Sequence, residues 1–181
     1  MIYVFLAEGF EEVEALTPVD CLRRAGKTVQ TVGIGGTVVS GSHGIPVKAD
    51  VTEADIQLND DLELIVLPGG MPGTLNLGKS QAVQDAITFC AEKNRLIAAI
   101  CAAPSVLGAR GLLNGKTATC YPGFEPQLTG CNAVAKPVCE DGNIITGRGP
   151  GAAMDFALKL VAVLCGEKQA EQLAEGMVYT K

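Results

Sequence analysis

The strongest constraint on the fold is a repeated switch of period along the chain. Short apolar, strand-forming runs, "IYVFLA" (2–7), "TVQTVGI" (28–34), "LELIVLP" (62–68) and "LIAAI" (96–100), alternate with longer stretches whose apolar positions recur at helical spacing. Strands buried on both faces read as near-continuous apolar runs, and parallel neighbours need a crossover between them. The alternation therefore predicts an α/β fold around a mainly parallel sheet, with helices on both faces.

From Glu11 to Ala25, Val13, Leu16, Val19 and Leu22 recur every three residues, which predicts a helix ended by Gly26 and kinked or broken at Pro18. Residues 35–50 read as a β-hairpin excursion, and "GGMPGTLNLG" as a glycine-rich loop after the third apolar run. Helices are expected from Gln81 to Lys93, from Pro104 to near Gly111, from "GRGPG" (147–151) to about Leu164, and through "EKQAEQLAEG"; short strands fill 116–145. With 181 residues and no repeat or linker, a single domain over 1–181 is expected.

Charge and cysteine usage narrow the partners. A net charge of -6 without a basic cluster argues against nucleic acid as a primary partner. No apolar run reaches the roughly 18 residues of a membrane span, and the N-terminus reads as a first strand rather than a signal peptide. The cysteines, at 21, 90, 101, 120, 131, 139 and 165, are odd in number and show no C-x-x-C spacing. That pattern suits reduced thiols in a cytoplasm, and a single histidine gives no paired spacing for zinc, so no metal is expected.

In an open parallel sheet, sites form at the carboxyl edge of the strands. Three turns fall there: "EGFEE", "PGGMPG" and "ICAAP". Free cysteine is usually a core filler. Cys101, however, stands at a strand-to-helix switch among Ala98, Ala99, Ala102 and Ala103, small enough for the tight turn that lifts a nucleophile above a sheet. Near a helix start its thiol should ionise more easily than the ~8.5 of a free thiol. Glu8, Glu11 and Glu12 read as solvated residues favouring the helix dipole, whereas Glu14 is placed to be partly desolvated and to trade protons with a thiol. Gly69 and Gly70 supply backbone amides for an oxyanion. His43, in the hairpin, is the one imidazole that an internal Cys-His pair could use.

"LAEGFEEVEALTPVDCLRRAG", "IVLPGGMPG", "LIAAICAAPSVL" and "IITGRGPGAAMDFAL", in this order across nearly the whole chain, resemble the ThiJ/PfpI family, in the branch of the Parkinson-disease-associated protein deglycase. The resemblance implies a flavodoxin-like three-layer α/β sandwich, a homodimer, and an elbow cysteine at Cys101 with a protonated glutamate, Glu14, against it. It assigns the oxyanion amides to Gly69, Gly70 and Ala102. It places Arg24 near the partner subunit's site and makes Gly149 and Pro150 a pocket wall. Where many members carry a histidine beside the cysteine, this chain has Tyr121. A tyrosine is not a neutral-pH base, which weighs against Cys-His hydrolysis and leaves proton transfer to Glu14. His43 falls where relatives have an arginine near the dimer site.

The implied activity is cofactor-independent and glutathione-independent, on methylglyoxal, glyoxal or their adducts. The alternative reading is an oxidation-responsive or chaperone-like protein built on the same cysteine. Nothing in the residues suggests a thiazole-phosphate site, and no P-loop is present.

Overall fold

The computed structural model describes residues 1–180. Its elements in order are β1 (Ile2–Leu6), α1 (Glu12–Arg24), β2 (Val29–Gly33), β3 (Val38–Ser40), β4 (Pro46–Lys48), β5 (Val51–Thr52), β6 (Leu64–Leu67), α2 (Gly73–Lys79), α3 (Gln81–Glu92), β7 (Leu96–Ile100), α4 (Pro104–Gly108), β8 (Thr117–Ala118), β9 (Asn132–Ala133), β10 (Val138–Asp141), β11 (Ile144–Gly147), α5 (Ala153–Cys165) and α6 (Glu167–Gly176). The main sheet runs β10-β11-β7-β6-β1-β2-β5 and is parallel except for the edge pair β10–β11. β3–β4 and β8–β9 form two small separate sheets.

Alternation along β1 divides the core. Ile2, Val4 and Leu6 face a cluster with Val19 and Leu22 of α1 and Phe156, Leu160 and Val161 of α5. Tyr3 and Phe5 face the other, with Leu77 of α2, Val83 and Ile87 of α3, and Leu107 of α4. Helices thus cover both faces, giving the three-layer, flavodoxin-like sandwich that the alternating pattern and the resemblance imply. Among the described residues no helix is long and apolar enough to cross a membrane.

Two sequence expectations need correction. α1 passes through Pro18 without a break; a proline removes only one main-chain donor, and Val19 and Leu22 beyond it are locked into the core. The glycine-rich segment after β6 is not all loop, because Gly73–Lys79 forms α2, whose Leu77 is fully buried. The end of α1 is as expected: Gly26, at φ +81°, donates to the Arg23 carbonyl while Lys27 reaches the Leu22 carbonyl.

Chain order reverses at β1, which lies between β2 and β6. The carboxyl ends of β1 and β6 therefore border the crevice where such sheets bind ligands. The two loops join there, since Glu11 N donates to the Gly69 carbonyl at 2.9 Å and Gly73 N to the Gly9 carbonyl at 3.2 Å.

Candidate active site

Cys101 directly follows β7 and has φ +65°, a left-handed conformation rare for a side chain with a Cβ. Such a backbone costs about 1–2 kcal/mol and persists only where its surroundings impose it. The imposing contacts are two: Cys101 N donates to the Gly147 carbonyl at 2.9 Å, and Tyr121 N donates to the Cys101 carbonyl at 2.8 Å. The residue is 9% exposed, so little of it meets solvent.

Glu14, in the first turn of α1, is fully buried. Its Oε2 accepts the Gly69 amide at 2.9 Å, and the carboxyl also interacts with the Cys101 thiol. Oε1 is buried without a hydrogen-bond partner of its own. A bare oxygen in a desolvated site favours the protonated acid. Burial accordingly raises the Glu14 carboxyl to about 7, helped by the nearby negative charge of Glu11 and opposed by hydrogen bonds with Cys101 and Gly69.

The thiol departs from expectation. Burial, then the charge of Glu14 and its hydrogen bond, push Cys101 up to about 12, against the lowering effect of the Ala102 and Gly70 amides. A helix dipole was expected to ionise it, but α4 starts only at Pro104 and has five residues. Thiol and carboxyl form one coupled system. It releases its first proton near neutral pH and holds the second tightly.

The two glycines also divide their work differently from the expected pair. Gly69 spends its amide on Glu14, whereas Gly70, at φ +88°, and Ala102 direct their amides to the Cys101 sulfur. A Cβ at position 69 would lie 2.6 Å from both Cys101 Cβ and Glu14 Oε2. Only glycine lets carboxyl and thiol share this space.

The remaining expected residues are more dispersed. Tyr121 is half exposed, and with Arg148, Gly149 and Pro150 it lines a cleft of about 430 Å³ beside the Cys101 main chain. Its ring packs on Gly149, where a Cβ would approach to 3.2 Å. Arg24 closes α1 at the end opposite Glu14, roughly 15 Å along the axis, and pairs with Asp20 at 2.9 Å. His43 sits at the tip of the β3–β4 hairpin against Glu11 and Glu12, not against the thiol. Glu12, expected to be solvated, is buried. Sequence reasoning missed it because its partner is 31 residues away.

Comparison with known proteins follows the same outline. The family model described as the DJ-1/PfpI family matches residues 1–163. The chain is 40% identical to protein dj-1beta of Drosophila melanogaster over 97% of its own length and 95% of that protein. It is 31% identical to the glutathione-independent glyoxalase DJR-1.2 of Caenorhabditis elegans, over 96% and 93% respectively. Among solved structures it resembles oxidized Toxoplasma gondii DJ-1, with a TM-score of 0.94 and 37% identity over 99% of this chain and 98% of that one.

Proposed function

The chain belongs to the DJ-1/PfpI family, and from that membership and the Cys101–Glu14 pair we propose a cysteine-dependent, glutathione-independent glyoxalase or deglycase acting on methylglyoxal, glyoxal or their adducts. The observation that carries this reading is a buried carboxyl, raised to about 7, beside a thiol on a left-handed bend. A base is most effective with a pKa near the working pH. Similarity to a glyoxalase from C. elegans supports the substrate class.

In the proposed reaction Glu14 takes the thiol proton as Cys101 Sγ bonds to the aldehyde carbon. The carbonyl electron pair moves onto oxygen, which faces the Gly70 and Ala102 amides and takes that proton back from Glu14 to give a hemithioacetal, leaving Glu14 ionised again. Glu14 then removes the proton on that carbon and returns it to the neighbouring carbonyl carbon, while the hydroxyl proton passes to the neighbouring oxygen, so the first carbon is oxidised and the second reduced. Water cleaves the resulting thioester to free Cys101 and a hydroxy acid. The balance is methylglyoxal plus water giving lactate and a proton, with no cofactor. Lactate formation from methylglyoxal without glutathione tests it: the reading requires Cys101→Ser to abolish the rate, and an unchanged rate overturns it.

A second reading, oxidation sensing, has support in the oxidized state of the T. gondii relative and in the amides facing the sulfur. Graded peroxide followed by mass spectrometry separates it. A sensor oxidises at Cys101 before Cys21, Cys90 or Cys165. The proposed assembly is a homodimer, for which Val13 and Leu16, exposed on α1, and exposed Ile45 on the adjoining hairpin provide an apolar surface.

A further inference from the structure

In the last turn of α1, about 10 Å along the axis from Glu14, three sulfur atoms converge. Cys21 Sγ lies 3.8 Å from Met154 Sδ, in the first turn of α5, and 3.8 Å from Met177 Sδ, in the residue that ends α6. The thioethers are 133 and 156 residues from the thiol in the chain, so no spacing motif joins them. Cys21 is fully buried, unlike Val13 and Leu16 on the face proposed to meet a second copy, and both methionines are half-buried.

Three observations distinguish this cluster from a cysteine packed at random. First, two thioethers from separate elements address one thiol. A thiol carries a single proton and can donate to one weak sulfur acceptor, so the second thioether finds no donor there. Second, the spacing suits a shared ion. Sulfurs held about 2.3 Å from one centre stand roughly 3.8–4.0 Å apart in tetrahedral or trigonal geometry, and both contacts to Cys21 have that length. Third, the scaffold is already built. Gln169 of α6 donates to the Ala25 carbonyl at the end of α1 at 2.9 Å. The Tyr179 hydroxyl, just beyond Met177, donates to Asp155, the neighbour of Met154, at 3.0 Å.

We propose that Cys21, Met154 and Met177 form a three-sulfur binding site for a soft monovalent ion, Cu⁺. Thiolate and thioether ligands select Cu⁺ among the biological first-row metals. Charge points the same way: one thiolate and two neutral thioethers cancel a single positive charge, whereas a divalent ion would leave one uncompensated in the interior. The charged groups that bear on the thiol, Asp20 and Arg24, pair with each other at 2.9 Å. On binding, the ion replaces the thiol proton, which passes to solvent, and copper keeps its oxidation state. The half-buried thioethers provide the way in. The inference is independent of the activity proposed above.

The test gives selenomethionine-labelled protein one equivalent of Cu⁺, as its acetonitrile complex under nitrogen, and records X-ray absorption at the copper and selenium edges. A copper neighbour of selenium is expected, with a copper shell of sulfur and selenium alone. In competition with bicinchoninate, affinity should fall at least about tenfold in Met154→Leu and in Met177→Leu, since losing even an outer-shell partner has that effect. Both variants keep every thiol, so binding at other cysteines would not respond. Both also conserve volume and are expected to fold, which circular dichroism checks. A selenium edge without copper, unchanged affinity in either leucine variant, or oxygen and nitrogen in the copper shell overturns the proposal.

Discussion

Gly69 holds Glu14 in place: its amide meets Oε2 across 2.9 Å and ties the end of β6 to the first turn of α1. A Cβ at this glycine would lie 2.6 Å from that same oxygen and 2.6 Å from Cys101 Cβ. Gly69→Ala should therefore cost about 1–3 kcal/mol by overpacking and displace the carboxyl from the thiol. Urea midpoints and the methylglyoxal rate check this; wild-type values for both would show that the three groups do not share one space.

Glu14→Gln keeps the shape and removes the proton carrier. Turnover should fall on the order of 10²–10⁴-fold, the usual contribution of a positioned acid or base. A drop of less than tenfold in lactate formation would remove Glu14 from the proposed role.

Folding stability should carry the opposite signature. The Glu14 carboxyl is raised from 4.5 to about 7, so between these values the folded chain binds a proton that the unfolded chain has released. Stability contributed by this group therefore declines as pH rises through that window and is level above it. At about 1.4 kcal/mol per unit the loss is ~3 kcal/mol. In metal-free buffer, Glu14→Gln should lack this slope and gain on wild type at pH 8, as read by urea unfolding at several pH values.

Alkylation of Cys101 by iodoacetamide should climb with pH through about 7, as the coupled pair gives up its first proton. That step should vanish in Glu14→Gln. Cys90 and Cys21 are fully buried and have no Glu14 beside them to take the thiol proton, so they should stay unlabelled in the folded protein. Peptide mapping distinguishes the sites, and full Cys101 labelling already at pH 5 would refute the coupling.

Leu16→Asp should shift the protein toward monomer in sedimentation, because it charges the exposed apolar face of α1 proposed to meet a second copy. Leu16 is 38% exposed, so folding should change little. An unaltered molecular mass would move the interface elsewhere.

The strands and long helices were legible because burial on two faces writes unbroken apolar runs, and "LIAAI" gives β7 at its observed bounds. α2 was hidden by its own glycines and the preceding proline, whose turn chemistry outweighs a seven-residue helix in any local reading. The elbow at Cys101 was visible from its small neighbours, and Glu14 from its place on α1. The acidity of the thiol was not, because desolvation and the Glu14 charge depend on how deep the residue lies, which no local pattern encodes. The same holds for Gly69, whose amide is committed to a residue 55 positions earlier, and for Glu12, which only the hairpin buries.

The left-handed turn at Cys101 implies a bias in how this protein can age. Backbone strain there and the submerged acid beside it both oppose folding, so mutations that relax either would make a sturdier molecule with a silent centre. Random drift under a demand for robustness alone would erase the sulfur and its acid before it eroded the sheet, and a lineage that retains both must be under continuing demand for what they do.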